Sequence, residues 1–238
     1  MERLGVILIA VFVLLAAGTA NGAVTVFSAK DTGSGESTPL ASWPNSDAAA
    51  ASFLAGLSGV GTESFEGFAD DQPMNGETLT FGAVTATFSG AMSVNDVPSG
   101  STNGKGRYAT DGTKYLEGTT DEFTVAFNTA VAAFGFFGID IGDFKGEAQI
   151  TTVNGGSHTY DILGDSAGGS ICFWGIIDTD NLFTSITISN SEVGTDKFGF
   201  DEMTVGSLEQ VVVPAPGALL LASLGVGLVG WMRRRRAL

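Results

Sequence analysis

The 238-residue chain holds one cysteine, Cys172, and one histidine, His158. A single cysteine excludes an intramolecular disulfide, a support that small secreted domains often need. One Cys and one His also fall short of a His/Cys zinc site. Cys172 lies in the apolar stretch Ile171-Cys172-Phe173-Trp174 and reads as a buried, inert thiol rather than a nucleophile. His158 falls in Gly155-Gly156-Ser157-His158-Thr159, a turn entering a strand. A Ser-His-Asp triad would have to use it, and the chain has no Gly-x-Ser-x-Gly elbow. A phosphate loop is missing too: Asn103-Gly104-Lys105-Gly106-Arg107 lacks the required glycine spacing and reads as a flexible turn. Asp178-Thr179-Asp180-Asn181 opens like a calcium loop. Phe183 stands where the sixth-position glycine belongs, and Ser189 where the twelfth-position glutamate belongs, so an EF-hand is excluded and a polar turn remains.

Basic residues are also scarce. The chain carries a formal net charge of −15. Once Glu2, Arg3 and four C-terminal arginines are set aside, 25 acidic residues face 6 basic ones. Such a surface repels phosphate backbones, which argues against a nucleic-acid partner. It favours solubility and attracts cations. There is no heptad pattern and no internal repeat.

Both ends carry addresses. Met1-Glu2-Arg3 is a short charged start, Leu4 to Ala17 an apolar run, and Gly18-Thr19-Ala20 offers small residues for cleavage, with Ala23 as the alternative end. This is the pattern of a secretory signal peptide over 1–23, delivered by the Sec translocon. At the other end, Val213-Pro214-Ala215-Pro216 forms a proline hinge that cannot continue a helix. An apolar run from Gly217 to Trp231 follows, then Arg233, Arg234, Arg235 and Arg236. The run is short for a span but plausible as a transmembrane helix, and the arginines would stay cytoplasmic.

Hinge, apolar run and arginine cluster, in that order, resemble the PEP-CTERM tail, the sorting signal of exosortase substrates in Gram-negative bacteria. The family's usual acidic residue between the prolines is Ala215 here. The resemblance implies an exosortase-like processing enzyme as partner and transient anchoring in the inner membrane. The folded part would face the periplasm before passing to the cell surface or outside. The middle of the chain is similar to secreted domains often found ahead of such tails. The shared runs are Gly106-Arg107-Tyr108, Ala133-Phe134-Gly135-Phe136-Phe137-Gly138-x-Asp140 and Phe198-Gly199-Phe200-Asp201. That similarity implies a β-sandwich and brings no activity.

Between the addresses the pattern is mainly β. Residues 24–62 are weakly patterned, with a short strand at 24–27 and a short helix over Ser46 to Leu57 that Asp47 would cap. From Glu63 to Phe68, acidic residues alternate with apolar or small ones. Strands are expected at Leu79 to Phe81, Val84 to Phe88, Phe123 to Phe127, Val131 to Ile141, Ile171 to Ile177, Ser185 to Ser189 and Phe198 to Val205. Val131 to Ile141 is apolar enough to be buried on both faces. Gln149 to Val153 pairs with Thr159 to Ile162 across Asn154-Gly155-Gly156, a hairpin signal. Glycine, at 34 residues, is about twice its usual share of ~7%. Short strands joined by glycine-rich turns point to one antiparallel β-sandwich or jelly roll over 63–206. Phe123, Val125, Phe127, Ile186, Ile188 and Phe200 are its expected core, with a linker over 207–212 before the tail over 213–238.

Three functions remain in view. The first is an exported surface or matrix protein without catalytic activity, requiring no cofactor and associated with exopolysaccharide or biofilm. The second is a carbohydrate-binding module, which needs exposed aromatics such as Trp43, Trp174, Tyr108 or Tyr115. The third is a glycoside hydrolase, which needs two carboxylates, and no pair stands out. A structural Ca²⁺ would relieve the crowding of carboxylates. Glu66 and Asp201 are the first pair for it, with Asp196 brought into line by a bulge at Gly199; Asp140 and Asp143 are the second. The competing reading is that all five are solvated.

Overall fold

The computed structural model describes residues 24–118, 122–141, 146–162, 167–190 and 197–212. The described residues form one compact unit, Ala23–Val212. Chain order among them is β1 (Thr25–Asp31), α1 (Pro44–Ala55), β2 (Gly61–Glu63), β3 (Thr78–Phe81), β4 (Val84–Ser89), β5 (Met92–Asp96), β6 (Lys114–Gly118), β7 (Glu122–Val131), β8 (Ala133–Ile139), β9 (Gly146–Thr152), β10 (Ser157–Ile162), β11 (Ile171–Ile177), β12 (Phe183–Asn190) and β13 (Phe198–Gly206). The signal peptide, the tail with its sorting residues, Asp143 and Asp196 all lie outside the described residues. No described helix is long and apolar enough to cross a membrane.

The alternation in β7 becomes a half-buried strand: Phe123, Val125 and Phe127 point inward while Ala126 and Asn128 are exposed. β7 lies in a six-stranded antiparallel sheet of order β10-β9-β12-β7-β4-β3. The facing seven-stranded sheet runs β1-β11-β8-β13-β6-β5, with β2 also paired to β13. Phe123 of β7 meets Phe200 of β13 edge-on at 4.8 Å, and Phe136 of β8 meets Phe200 at 5.1 Å. Interlocking rings from opposite sheets are the core of a sandwich. All six expected core residues are buried there.

β8 and β11 are buried along their whole lengths. Inner-face residues alone cannot explain that. Helix α1 lies on the outer face of the seven-stranded sheet, where Phe53 packs with Phe137, Phe173, Ile139 and Ile177 in a second core. A sheet covered on both sides reads as a continuous apolar run, which is why β8 and β11 lack alternation.

The structure revises several local expectations. Val131 to Ile141 is not one strand: the chain bends at Ala132 and passes from the six-stranded sheet to the other. Glu63 to Phe68 is mostly turn, with Phe65 buried at φ 61°. The segment ahead of Glu63 contributes β1 and β2 to the seven-stranded sheet. Asp47 does not cap α1. Trp43 is the N-cap residue and Pro44 opens the helix, a position where its missing N–H costs nothing. Asp31, from the end of β1, supplies the acceptors: its Oδ2 receives the Ser46 amide at 2.8 Å and the Ser46 hydroxyl at 2.9 Å, and its Oδ1 receives Asn45 Nδ2 at 2.8 Å. Burial raises this carboxyl, but those hydrogen bonds outweigh it and hold Asp31 below the usual range. The bulge in β13 falls between Asp201 and Thr204, at Glu202 with φ 47°, rather than at Gly199.

Candidate functional site

Arg107 is the charged residue around which the loops gather. It is 2% exposed. Its Nε donates to Glu117 Oε2 at 3.0 Å, and its NH1 donates to Asp140 Oδ2 at 3.2 Å and to the Lys197 carbonyl at 2.7 Å. Lys197 Nζ donates to Glu117 Oε1 at 2.9 Å. Asn103 Nδ2 donates to Glu117 Oε2 at 3.1 Å. Two cations and two carboxylates are thus matched in and around the interior, the condition under which burying them is tolerable. Burial, with Glu117 beside it, pushes the Tyr115 phenol far up. Asp140 takes a left-handed backbone, φ 60°, and its Oδ1 accepts the Gly169 amide at 2.9 Å. Gly106 sits against this carboxylate: a Cβ there would stand 2.7 Å from Asp140 Oδ1, and its φ of +84° also excludes most side chains.

Tyr108, two residues on, carries the organisation outward. Its hydroxyl donates to the Gly169 carbonyl at 2.9 Å and accepts the Leu40 amide at 2.9 Å. Burial, helped by the nearby charges of Asp140 and Asp31 and opposed by the Leu40 hydrogen bond, pushes the phenol up to about 12. It therefore stays a neutral clamp, joining the segment before α1 to the loop before β11. Outside that clamp is a cavity of about 350 Å³, walled by Pro39, Leu40, Trp43, Val97, Pro98 and Thr110, with Ser99 and Ser101 also lining it. Trp43 is partly exposed while its other contacts are to the second core. Two prolines fix φ in the walls, so little ordering remains for a ligand to impose.

Of the acidic residues expected to hold calcium, Glu66, Asp140 and Asp201 fall among the described residues, and each accepts hydrogen bonds from the protein. Asp201 is fully buried. Its Oδ2 accepts the Thr110 amide at 2.8 Å, the Thr110 hydroxyl at 3.0 Å and the Asp111 amide at 3.0 Å; its Oδ1 accepts the Glu202 amide at 2.7 Å. Burial pushes the Asp201 carboxyl up to about 7 against those hydrogen bonds. Burial likewise raises Glu202, whose Oε1 shares the Thr110 hydroxyl at 3.0 Å. Glu66 Oε1 accepts the amides of Thr113 at 2.8 Å and Lys114 at 2.6 Å. Glu66 and Asp201 thus serve the same loop, 110–114, as acceptors of backbone amides. Asp140 is paired with Arg107. Among the described residues no three His, Cys, Asp or Glu side chains converge as metal ligands.

His158 is exposed on β10, at the edge of one sheet, while Cys172 is buried in β11 of the other. Asp178 accepts the amides of Asp180 and Asn181 at 3.0 and 2.8 Å, which makes the stretch a polar turn. Trp174 and Tyr115 are core residues, while Tyr108, nearly buried, lines the cavity beside Trp43. Of the four aromatics named for carbohydrate contact, only Trp43 reaches solvent. Sequence reasoning missed the Arg107–Glu117–Asp140–Lys197 network, although the run Gly106-Arg107-Tyr108 had marked its centre. It also missed the cavity, because its walls come from segments about 60 residues apart that carry no shared motif.

No protein-family model matches the chain. No curated protein matches it. Among solved structures, the chain is similar to the C-terminal family 22 carbohydrate-binding module of Clostridium thermocellum Xyn10B, at 15% identity and a TM-score of 0.36, over 66% of this chain and 98% of that one. It is similar to the K2 cleaved adhesin domain of Lys-gingipain at 12% identity and a TM-score of 0.37, over 61% of this chain and 97% of that one. The family 11 carbohydrate-binding module of the Clostridium thermocellum cellulase Lic26A-Cel5E matches at 16% identity and a TM-score of 0.28, over 63% and 96%. The fold of this chain is defined by its own strand pairing: two antiparallel sheets arranged as a sandwich.

Proposed function

We propose that this chain is an exported, non-catalytic protein of the cell surface or extracellular matrix, and that its sandwich binds carbohydrate at the Trp43 cavity. The cavity carries the reading. Its volume of about 350 Å³ lies within the range of small-ligand sites, roughly 300–1,000 Å³. One indole forms part of a wall, and hydroxyl-bearing side chains line the same space. Sugars present both surfaces such a site needs: a C–H face for an aromatic ring and hydroxyls for polar partners. The non-catalytic reading rests on chemistry. Of the two carboxyls raised by burial, Asp201 is fully buried, so it cannot touch a glycosidic oxygen, and Glu202 accepts the Thr110 hydroxyl.

Export rests on the two terminal segments. The signal peptide at 1–23 delivers the chain through Sec. The tail at 213–238 holds it in the inner membrane until an exosortase-like enzyme processes it, with exopolysaccharide as the partner at its destination. A glycan array probed with the full chain in detergent tests the binding half. Retention of neutral or acidic glycans supports it; a folded protein that retains none would leave a matrix protein without this activity.

A further inference from the structure

Resting on the carbohydrate reading, we propose that the Trp43 cavity selects a neutral pyranose of a polysaccharide and rejects acidic sugars. Two observations carry this. First, no Asp, Glu, Lys, Arg or His lines the cavity. A uronate, sulfate or pyruvate group entering it would meet no countercharge, and an unpaired desolvated anion is costly. Second, the segments that form its walls are bordered by carboxylates. Asp96 precedes Val97, and Asp111 lies between Thr110 and Gly112. Glu66 accepts the Thr113 amide next along the same segment.

Two cations on these segments have partners. Arg107 is buried on Glu117 and Asp140. Lys114 Nζ donates to the carbonyls of Glu66 and Phe68 at 3.2 and 2.6 Å. Lys114 keeps its positive charge, but Asp96, Asp111 and Glu66 outnumber it along these segments, which disfavours the approach of anions. The cavity is lined by Trp43, by Leu40 and Val97 as apolar residues, and by the hydroxyl-bearing Ser99 and Ser101. A neutral pyranose, with a C–H face and hydroxyls, suits such a lining. An exposed turn frames the polar side: the Ser101 amide donates to the Pro98 carbonyl at 3.0 Å, with Gly100 at φ +79°.

The test is calorimetric titration of the full chain in detergent with two probe sets: neutral oligosaccharides of glucose, galactose and mannose, and acidic ones from polygalacturonate and alginate. At least one neutral probe should bind, with an affinity that high salt leaves unchanged. The acidic probes should bind at least about tenfold more weakly. Trp43→Ala should remove neutral binding. Because Trp43 also packs on the second core, Ala41→Phe, at an exposed lining position, provides a second variant that fills the cavity while the melting temperature reports folding. Acidic probes binding as tightly as neutral ones would overturn the selectivity while leaving the carbohydrate reading intact. Neutral binding that survives both variants would place the sugar elsewhere and overturn the site. No binding by either set, from protein with a cooperative melt, would overturn the carbohydrate reading itself.

Discussion

At Arg107 the side chain's worth depends on what it leaves behind. Its guanidinium neutralises Glu117 and Asp140, both nearly inaccessible to water. Arg107→Met keeps most of the volume, strands the buried Asp140 and leaves Glu117 with Lys197 as its remaining cation. We expect a loss of about 3–5 kcal/mol in urea denaturation, partly recovered in Arg107→Met/Glu117→Gln, since one charge is then removed with its partner. Asp201 gives a pH dependence of definite sign. Its folded value is about 7 and its unfolded value about 3.9. The folded state therefore holds the proton more tightly. The stabilisation this supplies is complete below pH ~4 and is lost as pH rises through ~7. Glu202 shifts in the same direction. Subtracting the denaturation free energies of Asp201→Asn from those of the parent, pH by pH, should leave a curve that falls across this window; a flat difference would mean that Asp201 does not titrate there. The sequence displayed these carboxylates but not their partners. Thr110 lies 91 residues from Asp201 and Glu66 lies 47 from Thr113, so the donors that occupy them arrive only with the fold. The backbone amides that Asp201 and Glu66 accept were therefore not legible in the sequence.

At the scale of elements, what one face decides was readable and what two faces decide was not. β7 and β12 alternate because one side packs and the other is wet. β6, Lys-Tyr-Leu-Glu-Gly, escaped notice because burial there follows no period: Glu117 is inside as the partner of Arg107. Helix α1 was visible, yet its cap was not, because Asp31 reaches it from another element. The helix also explains two glycines in strands, where glycine is otherwise unfavourable. Gly135 of β8 and Gly175 of β11 are paired across the ladder, and the Phe53 ring lies against both. A Cβ at Gly135 would stand 2.9 Å from Phe53 Cε1. Gly135→Val should therefore cost about 1–3 kcal/mol by overpacking. Adding Phe53→Leu should recover part of it, and a thermal-melt double-mutant cycle measures the coupling. Strict additivity would show that the ring and the glycine do not meet as described.

For the whole molecule, stability and hydration have separate sources. Without a disulfide, stability comes from two apolar cores, one between the sheets and one under α1. The excess of carboxylates keeps the surface hydrated and repels phosphate. Neither property supplies an address, so under our proposal the address lies in the terminal segments. Four arginines after an apolar run oppose translocation of that end, because moving each across a bilayer is costly and the cytoplasmic leaflet attracts cations. Replacing Arg233, Arg234, Arg235 and Arg236 with Asn keeps the length and removes the charge. The sandwich is untouched by this change, so circular dichroism of the purified variant should keep its β signature. Membrane retention should weaken, and the mass of the exported product should shift as processing is disturbed. Fractionation of expressing cells with intact-mass analysis of the secreted protein reads both. An unchanged distribution and an unchanged mature mass would show that the arginine cluster does not direct this chain, and the reading of the tail as a sorting signal would fall while the carbohydrate site stood on its own evidence.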